Sequence, residues 1–356
     1  MKKLLLALAA TTAVLGFAAG ASAADKAKIC FVYVGSKTDG GWTQAHDLGR
    51  QELEKALSDK IETQFLENVP EGPDAERAIE RLARSGCGLI YTTSFGFMDA
   101  TVKVAAKFPD VKFEHATGYK NAPNVATYNS RFYEGRYIQG VIAAKMSAKG
   151  EAGYIASFPI PEVVQGINSF LIGARSINPD FKIKVVWANT WFDPGKEADA
   201  AKALIDQGVD ILTQHTDTTA PMQVAAERGI KAFGQASDMI AAGPQTQLTA
   251  IKDTWGPYYI KRTQLFLDGK WETASSWDGL KDGILQMAPY TNMPDDVKKL
   301  AEETEAKIKS GELKPFTGPL KKQDGSEWLK AGESADDGTL LGLNFYVEGV
   351  DDKLPQ

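Results

Sequence analysis

The sequence predicts an α/β fold made of two related halves, each a parallel sheet wound on both faces by helices. Three observations carry that expectation. From Lys28 onward, short apolar runs rich in β-branched and aromatic residues alternate with stretches of helical periodicity. That order leads to parallel sheets, because each strand needs a crossover helix before the next. The strand runs are nearly continuous in apolar residues, as expected of strands covered on both faces. Finally, Val104-Ala105-Ala106 leads into Lys112-Phe113, and Val224-Ala225-Ala226 leads into Lys231-Ala232-Phe233, a short repeat that supports two related halves.

The first segment precedes this pattern. Lys2 and Lys3 are followed by an apolar stretch to about Gly20 and then by Ala21-Ser22-Ala23, which reads as a cleaved export signal spanning residues 1–23. No cysteine stands at the cleavage point, so the mature chain is expected to be unlipidated and periplasmic. The remaining chain is long enough for two domains of ordinary size.

The first half then reads strand at 28–35, helix at 42–57 with Trp42, Ala45, Leu48 and Leu53 near one face, and strand at 61–66. A helix at about 72–84, a strand at 88–93, a helix at 99–108 and a strand at 112–116 come next. The second half gives strands at 153–157, 182–189, 210–214 and 231–234, with helices at 161–177, 195–207 and 220–228. Further on, helices are expected at 257–267 and 295–309, the latter with acids first and bases last as the helix dipole favours. Residues 340–347 have the composition of a late strand. Cys30 and Cys87, the only cysteines, fall in the first and third strands. They read either as a disulfide or as two small buried residues.

Composition excludes several functions. The net charge of −6, with no block of Lys or Arg, offers no electrostatic footprint for nucleic acid or an anionic membrane. The three histidines lack metal-ligand spacing, and neither a phosphate loop nor a Gly-x-Ser-x-Gly elbow is present. No catalytic activity, cofactor or metal is expected.

The residues beyond the strands point elsewhere. In open parallel sheets, ligands bind outside the carboxyl ends of the strands. There the sequence places Asp39-Gly40-Gly41-Trp42, Ser94-Phe95-Gly96-Phe97-Met98, Thr190-Trp191-Phe192, His215-Thr216-Asp217-Thr218 and Ser237-Asp238. Aromatic faces beside a few hydrogen-bonding groups suit a flat heterocycle, where stacking contributes about 1–3 kcal/mol per base. The expected ligand contacts are stacking by Trp42, Phe95 and Trp191, and polar contacts from Ser94, Asp217, Asp238 and Asn129, the last near a hinge.

On these residues the sequence resembles the basic membrane protein family, the purine-nucleoside-receptor-like substrate-binding proteins of ATP-binding-cassette (ABC) importers. The resemblance covers roughly residues 28–314. It rests on Asp39 to Trp42, Gly96 to Ala100, Glu134 to Gly140, Gly166 to Ala174, Phe192 to Glu197 and Gly234 to Asp238. It implies the periplasmic-binding-protein type I architecture, in which two doubly wound lobes are joined by a hinge and the solute is held between them. Residues 24–127 with about 255–285 would form one lobe, and 128–254 with about 286–345 the other. The implied partners are a purine or related heterocycle and the permease subunits of the inner membrane, with the protein acting as a monomer.

Two departures from the family pattern matter. The usual Ser-Phe-Asn reads Gly41-Trp42-Thr43 and is followed by His46-Asp47, which adds Asp47 to the candidates. The family's Gly-Val-Asp-Ser-Asp reads Gly234-Gln235-Ala236-Ser237-Asp238. The first acid of that motif is implied to accept from a ribose hydroxyl, so Ala236 favours a free base such as adenine over a nucleoside. A periplasmic sensor and a sugar-binding protein of the same fold are the alternatives. A repressor would need a DNA-reading helix-turn-helix where the export signal stands.

Overall fold

A computed structural model describes residues Lys26–Pro355; the expected export signal at 1–23 lies outside the described residues. The chain alternates as expected through β1 (Ala27–Val32), α1 (Trp42–Ala56), β2 (Ile61–Leu66), α2 (Pro73–Arg84), β3 (Leu89–Thr92), α3 (Met98–Ala105) and β4 (Lys112–Ala116). The strand β5 (Val125–Ser130) and the helix α4 (Phe132–Met146) then carry it into a second body. That body holds β6 (Glu151–Ala156), α5 (Pro161–Arg175), β7 (Lys182–Trp187), α6 (Pro194–Asp206), β8 (Ile211–His215), α7 (Ala220–Glu227), β9 (Lys231–Gly234) and β10 (Gln247–Asp253). The chain returns through α8 (Gly256–Leu267), which packs on α1, and β11 (Ser275–Asp278), then re-crosses to β12 (Leu285–Met287) and α9 (Asp295–Ser310).

Two six-stranded sheets result. Their strand orders are β2-β1-β3-β4-β5-β11 and β7-β6-β8-β9-β10-β12. Every pairing is parallel except that of β12 with β10. The same order in each lobe explains the internal repeat: α3 into β4 and α7 into β9 occupy equivalent places, the fourth strand of each lobe with its preceding helix. The chain passes between lobes three times, at β5 to α4, β10 to α8 and β11 to β12.

Cys30 in β1 and Cys87 just before β3 are joined in a disulfide, their strands being neighbours in the first sheet. With a sequence separation of 57, the cross-link restricts a long loop of the unfolded chain, worth about 4 kcal/mol on the loop-entropy account. A Cys30→Ser/Cys87→Ser double variant should therefore unfold at a lower urea midpoint, with chemical denaturation as the measurement.

One sequence expectation is corrected. Residues 340–347 do not form a strand: α10 (Asp337–Leu341) ends inside that run and the rest is irregular. Asp336 starts the helix, its carboxylate accepting from the Thr339 N–H at 2.7 Å. The buried residues Leu340, Leu343, Tyr346 and Val347 recur about every three positions rather than every two, so this tail lies on the second lobe by one face. Asn168 of α5 fastens it there, donating to the Phe345 carbonyl at 2.9 Å and accepting from the Val347 N–H at 3.0 Å.

Candidate functional site

In a 2-1-3-4-5 sheet, the strand order reverses beside the first strand, and loops leaving the two strands there diverge to open a crevice. Here those strands are β1 and β3 in the first lobe, and β6 and β8 in the second. The two crevices face each other across a partly open cavity lined by Val34, Trp42, Ser94, Phe95, Thr117, Glu162, Trp191, His215, Asp217 and Gln235. Each of these residues stands at or beyond the carboxyl end of a strand or at the helix start that follows it.

The Asp39-Gly40-Gly41-Trp42 run acquires a physical meaning. Asp39 accepts from the N–H groups of Gly41, Thr43 and Gln44 at 2.8, 2.8 and 3.0 Å, satisfying donors that the first turn of α1 leaves unpaired. At Gly41 the lobes approach closely: a Cβ there would stand 2.2 Å from the Asp217 carbonyl oxygen, so only glycine fits. Its own carbonyl accepts from the Ser237 hydroxyl of the second lobe at 2.8 Å. Trp42 begins α1 and donates its indole N–H to the Thr93 carbonyl at 2.7 Å. It meets His46, Phe132 and Trp255 edge-to-face and is 9 % exposed. Its position is thus fixed by the protein alone.

The opposite wall carries acceptors that have no partner. Glu162, in the first turn of α5, holds the Nε2 of His215 at 3.2 Å with one carboxylate oxygen, while its Oε2 has no protein partner. Burial lowers the His215 pKa, partly offset by Glu162, so the ring is neutral at pH 7. With Nε2–H donating to Glu162, Nδ1 is a bare acceptor, and it too lacks a protein partner. Asp217 Oδ2 is likewise unpaired. Burial holds the Asp217 carboxyl well above its usual range, and the nearby Asp39, Glu197, Glu162 and Asp253 carboxyls add to that. Gln235 supplies the complementary group: its Oε1 accepts from the buried Arg136 of α4, which leaves the amide NH₂ as its free edge.

The loop bearing Asp217 is itself held. Glu197 of α6 accepts from the Thr218 N–H and hydroxyl at 3.1 and 2.8 Å. The Asp217 N–H donates to the Trp191 carbonyl at 2.9 Å. The Phe192 to Glu197 run is thus a device for placing Trp191 and Asp217 together.

Of the residues singled out from sequence, Trp42, Ser94, Phe95, Trp191 and Asp217 line the cavity. The other three are placed elsewhere. Asp47 is buried against Arg50, Gln51 and Tyr33 of its own lobe. Asn129 accepts from the neighbouring Ser130 N–H and lines an open surface groove with Trp277. Asp238 is exposed, its Oδ1 taken by the Ile240 N–H and the Gln247 amide. Sequence reasoning missed Glu162, Gln235 and the cavity role of His215. Glu162 lies in the helix start that follows β6, and Gln235 directly follows β9; the sequence reading took no residue after β6, and after β9 it took Ser237 and Asp238 instead of Gln235.

The family model described as "ABC transporter substrate-binding protein PnrA-like" matches residues 26–315. The chain belongs to this family. It is an ABC transporter substrate-binding protein of two parallel α/β lobes. A purine-binding protein of Brucella abortus is 72% identical over 345 residues, covering 96% of this chain and 99% of the relative. A Haloferax volcanii protein named as a candidate ABC transporter glucose-binding protein is 34% identical, with 94% of this chain and 83% of that protein covered. Among solved structures, an ABC transporter solute-binding protein from Aeropyrum pernix superposes with a TM-score of 0.72 at 21% identity, covering 82% of this chain and 94% of that one. That likeness bears on the fold. Among the described residues no helix is long and apolar enough to cross a membrane.

Proposed function

We propose that this substrate-binding protein captures a free purine base, with adenine as the best fit, and delivers it to the permease of an ABC importer after export to the periplasm. The observation that carries this reading is the lining of the inter-lobe cavity. Trp42, Phe95 and Trp191 supply apolar faces, and three unpaired acceptors, Glu162 Oε2, Asp217 Oδ2 and His215 Nδ1, stand among them. A flat ring with several N–H donors and a few acceptors complements such a wall, since buried acceptors left unpaired are costly. The preference for the base over a nucleoside rests on the residue at position 236. Ala236, where the resemblance puts a ribose acceptor, is fully buried in the core and offers no side-chain oxygen. The 72% identical purine-binding relative supports the same class.

Mass spectrometry of solute released from gently purified, then denatured protein should find a purine base. Calorimetry should rank adenine above adenosine, and tighter adenosine binding would overturn the preference for the base. The Haloferax relative's name favours a sugar instead; a titration with glucose decides between the two, with no measurable heat expected.

A further inference from the structure

The geometry points to Glu71 as a clasp that couples lobe closure to the placing of Trp191 against the solute, an inference that rests on the cavity being the ligand site. Glu71 stands in the Pro70-Glu71-Gly72-Pro73 turn between β2 and α2, in the first lobe. Its side chain reaches across the cleft. One carboxylate oxygen, Oε1, accepts from the Trp191 indole N–H of the second lobe at 3.1 Å. The same oxygen accepts from the Ser94 hydroxyl at 2.6 Å and from the Gly96 N–H at 3.1 Å, both in the first lobe.

A second observation agrees. A Cβ at Gly96 would stand 2.1 Å from the Glu71 carboxyl carbon. The glycine therefore keeps open the slot that the carboxylate occupies. Trp191 and Ser94 both line the cavity, so the clasp joins one wall of the site to the other through groups that face the solute. Its contact with Trp191 exists only when the lobes meet, whereas those with Ser94 and Gly96 stay within one lobe. Glu71 thus waits on the first lobe, aligned by two local donors, and takes the third from the closing lobe. It is a positioning residue: it orients the indole and slows reopening, so it acts on the dissociation rate.

Stopped-flow kinetics with adenine test this in Glu71→Ala, Glu71→Gln, Trp191→Phe and the Glu71→Ala/Trp191→Phe double variant. Glu71→Ala should speed adenine release about tenfold or more, as expected for loss of a charge-assisted bond, with little change in the association rate. Glu71→Gln should restore most of the slow release, since its amide oxygen can accept from the same three donors. In the Trp191→Phe background, which lacks the indole N–H, removing Glu71 should have a clearly smaller effect. Wild-type release rates in Glu71→Ala, or an undiminished effect in the Trp191→Phe background, would overturn the clasp. Should adenine not bind the wild type at all, the purine reading fails and the clasp is judged separately. The solute that co-purifies with the wild type, followed by mass spectrometry through dialysis, should then be lost faster from Glu71→Ala than from the wild type or Glu71→Gln; equal retention overturns it.

Discussion

Replacing Asp217 with Asn should make the ligand-free protein more stable at neutral pH while weakening adenine binding roughly ten- to a hundredfold, the loss expected when a charged acceptor becomes neutral. Both effects come from the same surroundings. The Asp217 carboxyl is buried, one oxygen has no partner, and Asp39, Glu197, Glu162 and Asp253 lie near enough to raise its pKa further. A carboxyl whose folded pKa is above its unfolded value of about 3.9 binds more protons in the folded state. Stability is therefore fully present below the unfolded pKa and declines as pH rises through the interval up to the folded one. Asparagine carries no charge into that interval. Thermal unfolding of the ligand-free variant should show a higher Tm than wild type at pH 7, by about 1 kcal/mol in stability, and a flatter dependence on pH.

Binding runs in the opposite sense. A ring N–H donates best to the ionised carboxylate, so wild-type affinity should fall as pH drops through the raised pKa. Calorimetry at a series of pH values above the unfolded carboxyl value reads this. An Asn variant with the wild-type pH slope, or with no gain in apo stability, would remove Asp217 from the role given to it.

The same contrast between local order and distant consequence decides what the sequence made legible. The strand and helix alternation through β1 to β4 and again through β6 to β9 was readable, though β5 was not expected, because strands covered on both faces appear as apolar runs, and their crossover helices keep a polar outer side. Helix α4 broke that rule. Eleven of its fifteen residues are buried, because it packs on α5 and passes between lobes, so it presents no polar stripe and no helical period to detect. The hinge-side strands β11 and β12 are short and partly exposed, and their partners come from distant parts of the chain.

At the site, the residues legible in advance were those whose type is unusual for a loop, such as Trp42, Phe95 and Trp191. Asp47 and Asp238 have the same chemistry as Asp217. Only tertiary contacts separate a carboxylate already bonded to Arg50 and Gln51, or to Gln247, from one left unpaired. Arg136 was visible only as one member of the Glu134 to Gly140 run. Its work, holding the Gln235 amide from beneath, depends on α4 lying against β8 and β9 through bonds to Thr213, Gln214 and Gln235.

Trp42→Ala should weaken adenine binding at least tenfold, in keeping with about 1–3 kcal/mol for stacking a base on an aromatic ring. The tryptophan is held without help from solute, its N–H on the Thr93 carbonyl and its ring boxed by His46, Phe132 and Trp255. Such preorganisation keeps the entropy cost of binding low, and it also makes Trp42 part of the first lobe's packing. Truncation to alanine will therefore cost stability as well, about 3–5 kcal/mol for a fully buried aromatic, and affinity alone cannot separate the two roles. Trp42→Phe does so. It keeps a ring on the cavity wall and loses the bond to Thr93, so it should bind adenine within several-fold of wild type while still lowering Tm. If Trp42→Phe binds as poorly as Trp42→Ala, the indole acts through its hydrogen bond rather than its face. If both bind as tightly as wild type, Trp42 serves packing alone, and the stacking contact belongs to Trp191 and Phe95.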